Sequence, residues 1–93
     1  MNRIKFLRVR QRLTQKDAAL ALGVKQSQIS QWETGNQIPK STRLQAIAET
    51  YGCSVSEVLE AVEEIAQRLE QRREEEIARR MADKERAEGR LNA

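Results

Sequence analysis

The chain is predicted to be all-α, with five helices, on three observations. Ala, Leu, Gln, Glu and Arg dominate, all good helix formers, while Phe6, Trp32 and Tyr51 are its only aromatics. Its apolar residues recur at helical rather than alternating spacing. Helix start and stop residues divide the first part of the chain into short segments. At 93 residues there is room for one modest core and an appendage, since a chain of this size buries roughly 60% of its unfolded surface.

Taken in order, Ile4, Leu7 and either Arg8 or Val9 begin a helical pattern that runs to Leu13. Thr14 reads as the cap of a second helix, with Asp17 at the capping-box position and Ala18, Leu20, Ala21 and Leu22 as its inward residues. Gly23 stops that helix, because glycine enters the left-handed region without steric cost. A third helix is expected from about Gln26 to Thr34 on an Ile29–Trp32 stripe, ended by Gly35-Asn36. After the Ile38-Pro39 loop, Ser41 to Tyr51 form a fourth helix with Leu44, Ile47 and Ala48 facing in, closed by Gly52.

Ser54 and Glu57 then form a capping box for a fifth helix that meets no stop signal before Gly89. Val55, Val58, Val62, Ile65 and Leu69 alternate by three and four, as on a short coiled-coil seam. The apolar positions then shift to Ile77 and Met81, and Glu75–Arg79, Glu76–Arg80 and Lys84–Glu88 stand four apart as ion-pair candidates. This divides the chain into a domain at 1–61 and an extension at 62–93.

Charge divides it similarly. Residues 1–50 hold nine Lys/Arg against three acids, and residues 51–93 hold eight against eleven. A basic head on a mildly acidic tail suits a polyanion partner for the head. No apolar run reaches the roughly 20 residues of a membrane span, and no signal-peptide apolar region opens the chain. A cytoplasmic location without a membrane partner is the expectation by exclusion. With no histidine, one cysteine and no phosphate-binding glycine loop, neither metal, cofactor nor enzyme is expected.

The second and third helices carry the decisive pattern. Small Ala18 and Ala19 permit close approach, Gly23 turns the chain, and Val24 and Ile29 plug the angle between helices. Gln26, Ser27, Gln28, Ser30 and Gln31 remain outward, a polar, uncharged, amide-rich face. A glutamine amide donates and accepts at once, which matches adenine N6 and N7 in the major groove.

The stretch LTQKDAALALGVKQSQISQWETGNQIP, with Leu7-Arg8 before it and SVSEVL after it, resembles the Cro/C1-type helix-turn-helix family over residues 4–59. The resemblance implies a five-helix, lambda-repressor-like DNA-binding domain, here with a long charged C-terminal helical extension. It further implies a homodimer on an operator of double-stranded DNA with two related half-sites. Carried over by position, Gln26, Ser27 and Gln31 read bases, and Gln28 touches base or phosphate. Gln15 binds phosphate and braces the first of these, while Asn36, Lys40 and Arg43 contact the DNA backbone. Arg8 and Glu33 match a structural ion pair. Lys25 stands where relatives have a capping hydroxyl residue and is assigned to phosphate instead. Arg12 stands where relatives have a left-handed glycine, which implies local strain.

Other residues take plainer roles. Trp32 is read as core, Tyr51 as the edge of the core and Cys53 as a small buried hydrophobe. Arg3, Lys5, Arg10 and Arg12 are either a solvated face or DNA contacts. Val58, Val62, Ile65 and Leu69 are the expected dimer seam, and residues 70–93 are either a salt-bridged solvated helix or a protein-partner site. The function implied is a sequence-specific transcriptional regulator, a dimeric repressor; the alternative is an antitoxin or adaptor that captures a protein partner through its long helix.

Overall fold

The structure, a computed structural model, describes residues 1–91. Its helices are α1 (Arg3–Arg10), α2 (Gln15–Leu22), α3 (Gln26–Glu33), α4 (Leu44–Thr50) and α5 (Val55–Leu91), with a 3₁₀ turn at Ser41–Arg43 leading into α4. No strand occurs among the described residues. α2 packs on α3 and α4, α4 on α5, and α1 lies against both α3 and α5. No helix among the described residues is long and apolar enough to cross a membrane.

The core gathers Ile4, Leu7, Ala18, Ala19, Ile29, Trp32, Ile47, Ala48, Tyr51, Val58, Ala61 and Ile65, with Leu13, Leu22, Val24, Leu44, Cys53, Val62 and Leu69 packed against it. Several local signals act as expected. Thr14 Oγ1 accepts from the Asp17 N–H at 3.0 Å, and Asp17 Oδ2 accepts from the Thr14 N–H at 3.1 Å. Gly23 takes φ 66° at the α2 C-terminus, where its N–H and that of Val24 close the last turn. Trp32 is buried.

Other expectations are corrected. α1 stops at Arg10 rather than Leu13, because Arg12 adopts the left-handed φ of 57° that breaks the helix. Arg8, not Val9, is the inward residue of that turn. On α2 the inward pair is Ala18–Ala19; Leu20 is 75% exposed and Ala21 is also exposed, since the helix turns those positions away from α3 and α4. Tyr51 sits inside the core rather than at its edge, and Cys53 is half-buried. Burial pushes the Tyr51 hydroxyl up to about 12 and raises the Cys53 thiol. Only half of the expected box at α5 forms. Ser54 Oγ accepts from the Glu57 N–H at 3.1 Å, while the Glu57 carboxylate turns to Arg10 at 3.2 Å.

α5 runs straight through Gly89, which does not end it. Its apolar row also has a different use from the expected one. Val58 and Ile65 are 0% and 1% exposed within the protomer's own core, joined there by Ala61, so they are not available as a dimer seam. Val62 and Leu69 are half-buried beside them. Farther along, Glu76–Arg80 is the one ion pair within α5 among the described residues, at 2.7 Å; Glu75–Arg79 and Lys84–Glu88 do not close.

Candidate nucleic-acid interface

The interface is organised around a buried ion pair. Arg8 on α1 meets Glu33 at the end of α3 in a two-point fork, Nε to Oε2 at 2.6 Å and Nη2 to Oε1 at 2.8 Å. Both side chains are nearly enclosed, 8% and 4% exposed. Arg8 also donates to the Leu13 carbonyl, which ties down the connection behind α1. Hydrogen bonding to Glu33, opposed by burial, raises the Arg8 pKa above its ordinary value, so the guanidinium stays charged. No buried side-chain polar atom lacks a partner among the described residues.

From this pair a relay runs outward. Gln15 Nε2 donates to Glu33 Oε1 at 3.3 Å, and Gln15 Oε1 accepts from Gln26 Nε2 at 3.4 Å. The order of charges fixes the amides: a carboxylate accepts only, so Gln15 turns its NH₂ inward and its oxygen toward Gln26. Gln26 is thereby left with its carbonyl oxygen and one N–H unused, the pair that adenine N7 and N6 require. Gln15 is half-buried by this relay and Gln26 is exposed.

Ser27 and Gln31 are exposed on the same helix. Gln28 is half-buried and accepts from the Lys25 N–H at 3.1 Å. That bond is the reciprocal half of a capping box, whose other half the Lys25 side chain, having no acceptor, is unable to supply; Lys25 itself is exposed. Lys40 is exposed. Arg43 is half-buried and turns back to the Leu22 carbonyl at 3.4 Å, at the C-terminal end of α2. Asn36 donates to Thr34 Oγ1 at 3.1 Å and accepts from Arg72 Nη1 at 3.2 Å, so part of its amide is engaged within the protein.

The roles of Asn2, Arg3, Arg10 and Arg72 were not assigned from the sequence. Asn2 caps α1 by accepting from the Lys5 N–H at 3.0 Å, and its amide donates to the Trp32 carbonyl at 2.9 Å, so it fastens α1 to α3. An asparagine just before a helical run is a cap signal that sequence alone offered. Arg3–Glu60 and Arg10–Glu57 clip α1 to α5 at 2.8 and 3.2 Å, which assigns two of the undecided basic residues to the fold. Arg72 lies 36 positions from Asn36, and nothing in a single sequence announces that contact.

Two short helices set at an angle by a left-handed glycine, the second presenting an uncharged amide face beside exposed lysines, define a helix-turn-helix protein. A family model described as helix-turn-helix matches residues 4–58, more than half of the chain. The protein belongs to this family, of the Cro/C1 type, and is a DNA-binding helix-turn-helix regulator. No curated protein and no solved structure matches it.

Proposed function

We propose that the protein is a dimeric, sequence-specific transcriptional repressor that inserts α3 into the major groove of an operator with two related half-sites. The observation that carries this reading is the Gln26 amide, held by the Glu33–Gln15 relay with one donor and one acceptor left over on an exposed, uncharged helix face. Gln26, Ser27 and Gln31 read bases, and Gln28 lies beside them. Lys25, Asn36, Lys40 and Arg43 hold the backbone, with Gln15 bracing Gln26, so that phosphates position and bases specify. Val62 and Leu69 retain surface for a second copy. Repression follows from occupancy of a promoter.

The test is selection of binding sites from a random duplex library, first with the protein and then with Gln26→Ala. Loss of preference at one base position, costing about 1–3 kcal/mol on the best site, is the expected result. An unchanged ranking of sites would defeat the base assignment.

A second reading is favoured by Ile77 and Met81, 50% and 61% exposed on the projecting part of α5. In it the protein is an antitoxin or adaptor that captures a protein partner there and binds DNA for autoregulation. Ile77→Glu with Met81→Glu would abolish partner capture under that reading and spare operator binding under the first.

A further inference from the structure

Resting on the DNA-binding reading, we propose that the face of α5 carrying Arg68, Arg72, Arg79 and Arg86 is a second phosphate-binding surface, engaging duplex DNA beyond the stretch gripped by α3 and the loop after it. Helical geometry groups these residues: at about 100° per residue, steps of four, seven and seven keep all four within a band of roughly 40°. Arg72 fixes where that band points. Its Nη1 donates to Asn36 Oδ1 at 3.2 Å, in the loop assigned to the DNA backbone, and its other N–H groups make no hydrogen bond within the described residues. Beside it, Thr34, Gly35, Arg68 and Arg72 line part of a cleft of about 220 Å³.

Ionic partners do not cancel this face. None of the four arginines has a carboxylate within 4.0 Å among the described residues, although α5 is rich in glutamate. Glu76 pairs with Arg80 at 2.7 Å, which commits one nearby acid elsewhere. Glu75, three residues after Arg72, and Asp83, four after Arg79, flank the band by helical phase, and Glu64 lines the first cleft. Arginine suits the role because its fork of donors meets phosphate oxygens in pairs. From Arg68 to Arg86 the band spans about 27 Å at 1.5 Å per residue. That length corresponds to roughly eight base-pair steps at 3.4 Å each, so the surface matches a flank rather than a single phosphate.

The experiment compares the full chain with the triple variant Arg72→Gln, Arg79→Gln, Arg86→Gln on a duplex selected by the parent protein, with long flanks. Affinity is measured across a potassium chloride series, and circular dichroism verifies equal helix content. Each lost phosphate contact should make the slope of log K against log salt shallower by about 0.9. The triple variant should therefore lose about two to three in slope and roughly ten- to a hundredfold in affinity at moderate salt. Its ranking of operator sequences should not change. The corresponding Arg→Lys triple should keep most of the slope, and trimming the duplex to the core site should erase the difference between parent and Gln variant. An unchanged slope in the Gln variant overturns the proposal while leaving the reading of α3 intact. Absence of any sequence-selective binding by the parent chain overturns both.

Discussion

Removing one member of the Arg8–Glu33 pair should cost far more than removing both. The two side chains are 8% and 4% exposed and meet through two hydrogen bonds of 2.6 and 2.8 Å. In Arg8→Met the Glu33 carboxylate keeps only the Gln15 amide at 3.3 Å, and the Leu13 carbonyl loses its donor. Breaking a buried pair from one side typically costs about 3–5 kcal/mol, because a charge is left enclosed without compensation. Small domains hold about 0.05–0.15 kcal/mol per residue, about 5–14 kcal/mol for a chain of 93 residues, so such a loss removes a large share of the stability. The double variant Arg8→Met, Glu33→Leu removes both charges and should recover most of that loss. Urea denaturation followed by far-ultraviolet circular dichroism reads all three proteins, and the double-mutant cycle should yield a coupling of at least about 2 kcal/mol. Single variants within about 1 kcal/mol of the parent, or a double variant that is simply additive, would refute the claim that this pair holds α1 to α3. The relay adds a second readout, since without Glu33 the Gln15 amide is no longer oriented and selectivity at the base read by Gln26 should broaden.

Thr14→Ala should destabilise the protein by about 0.5–2 kcal/mol, measured by the same urea titration, because the hydroxyl that accepts from the Asp17 N–H is lost while the backbone half of the α2 cap remains. The Asp17 carboxylate that completes that cap is held below the usual carboxylate range, chiefly by the Thr14 N–H. Its support is therefore present above the ordinary Asp pKa and is lost as pH falls through the lower folded value; a midpoint unchanged across that window would contradict it. Arg12→Gly should stabilise the fold by about 1 kcal/mol in thermal melts, since the left-handed φ of 57° costs arginine and not glycine. Tyr51, pushed up to about 12 by burial, ionises near 10 once unfolded. The folded state then holds the extra proton, so stability should fall as pH rises from about 10 to 12 by roughly 2–3 kcal/mol. A Tyr51→Phe protein with the same alkaline profile would disprove that origin.

Local signals were the legible part of this fold. Thr14 with Asp17, and Gly23, each concern a handful of consecutive residues, whose stereochemistry is decided before any tertiary contact forms. The left-handed Arg12, by contrast, was implied only by the family resemblance, and helical periodicity ran past it to Leu13. The row Val58, Val62, Ile65 and Leu69 was legible as an apolar face, but periodicity does not say which body covers that face. Here α4 and α1 cover Val58 and Ile65, so the row completes the monomer's core. Leu20 failed for the complementary reason: an apolar residue on an amphipathic helix is not thereby buried, and this one lies on the face turned away from α3 and α4. In the interface, helical phase placed Gln26, Ser27 and Gln31 on the exposed face of α3, whereas Gln28 and Ser30, also expected there, are half-buried. The Arg72–Asn36 contact and the turning of Arg43 to Leu22 join distant positions, which sequence spacing does not encode.

The length of α5 also sets how the molecule behaves in solution. The structure measures 62 × 23 × 23 Å, with a radius of gyration of 18.3 Å, whereas a compact chain of this length would have about 12 Å. Such a rod tumbles anisotropically and drags like a heavier sphere. A monomer of 10.7 kDa will therefore elute early from a sizing column, at a position easily mistaken for a dimer. Absolute mass from light scattering or sedimentation equilibrium is the quantity that counts protomers for this protein, and small-angle scattering will register the rod directly.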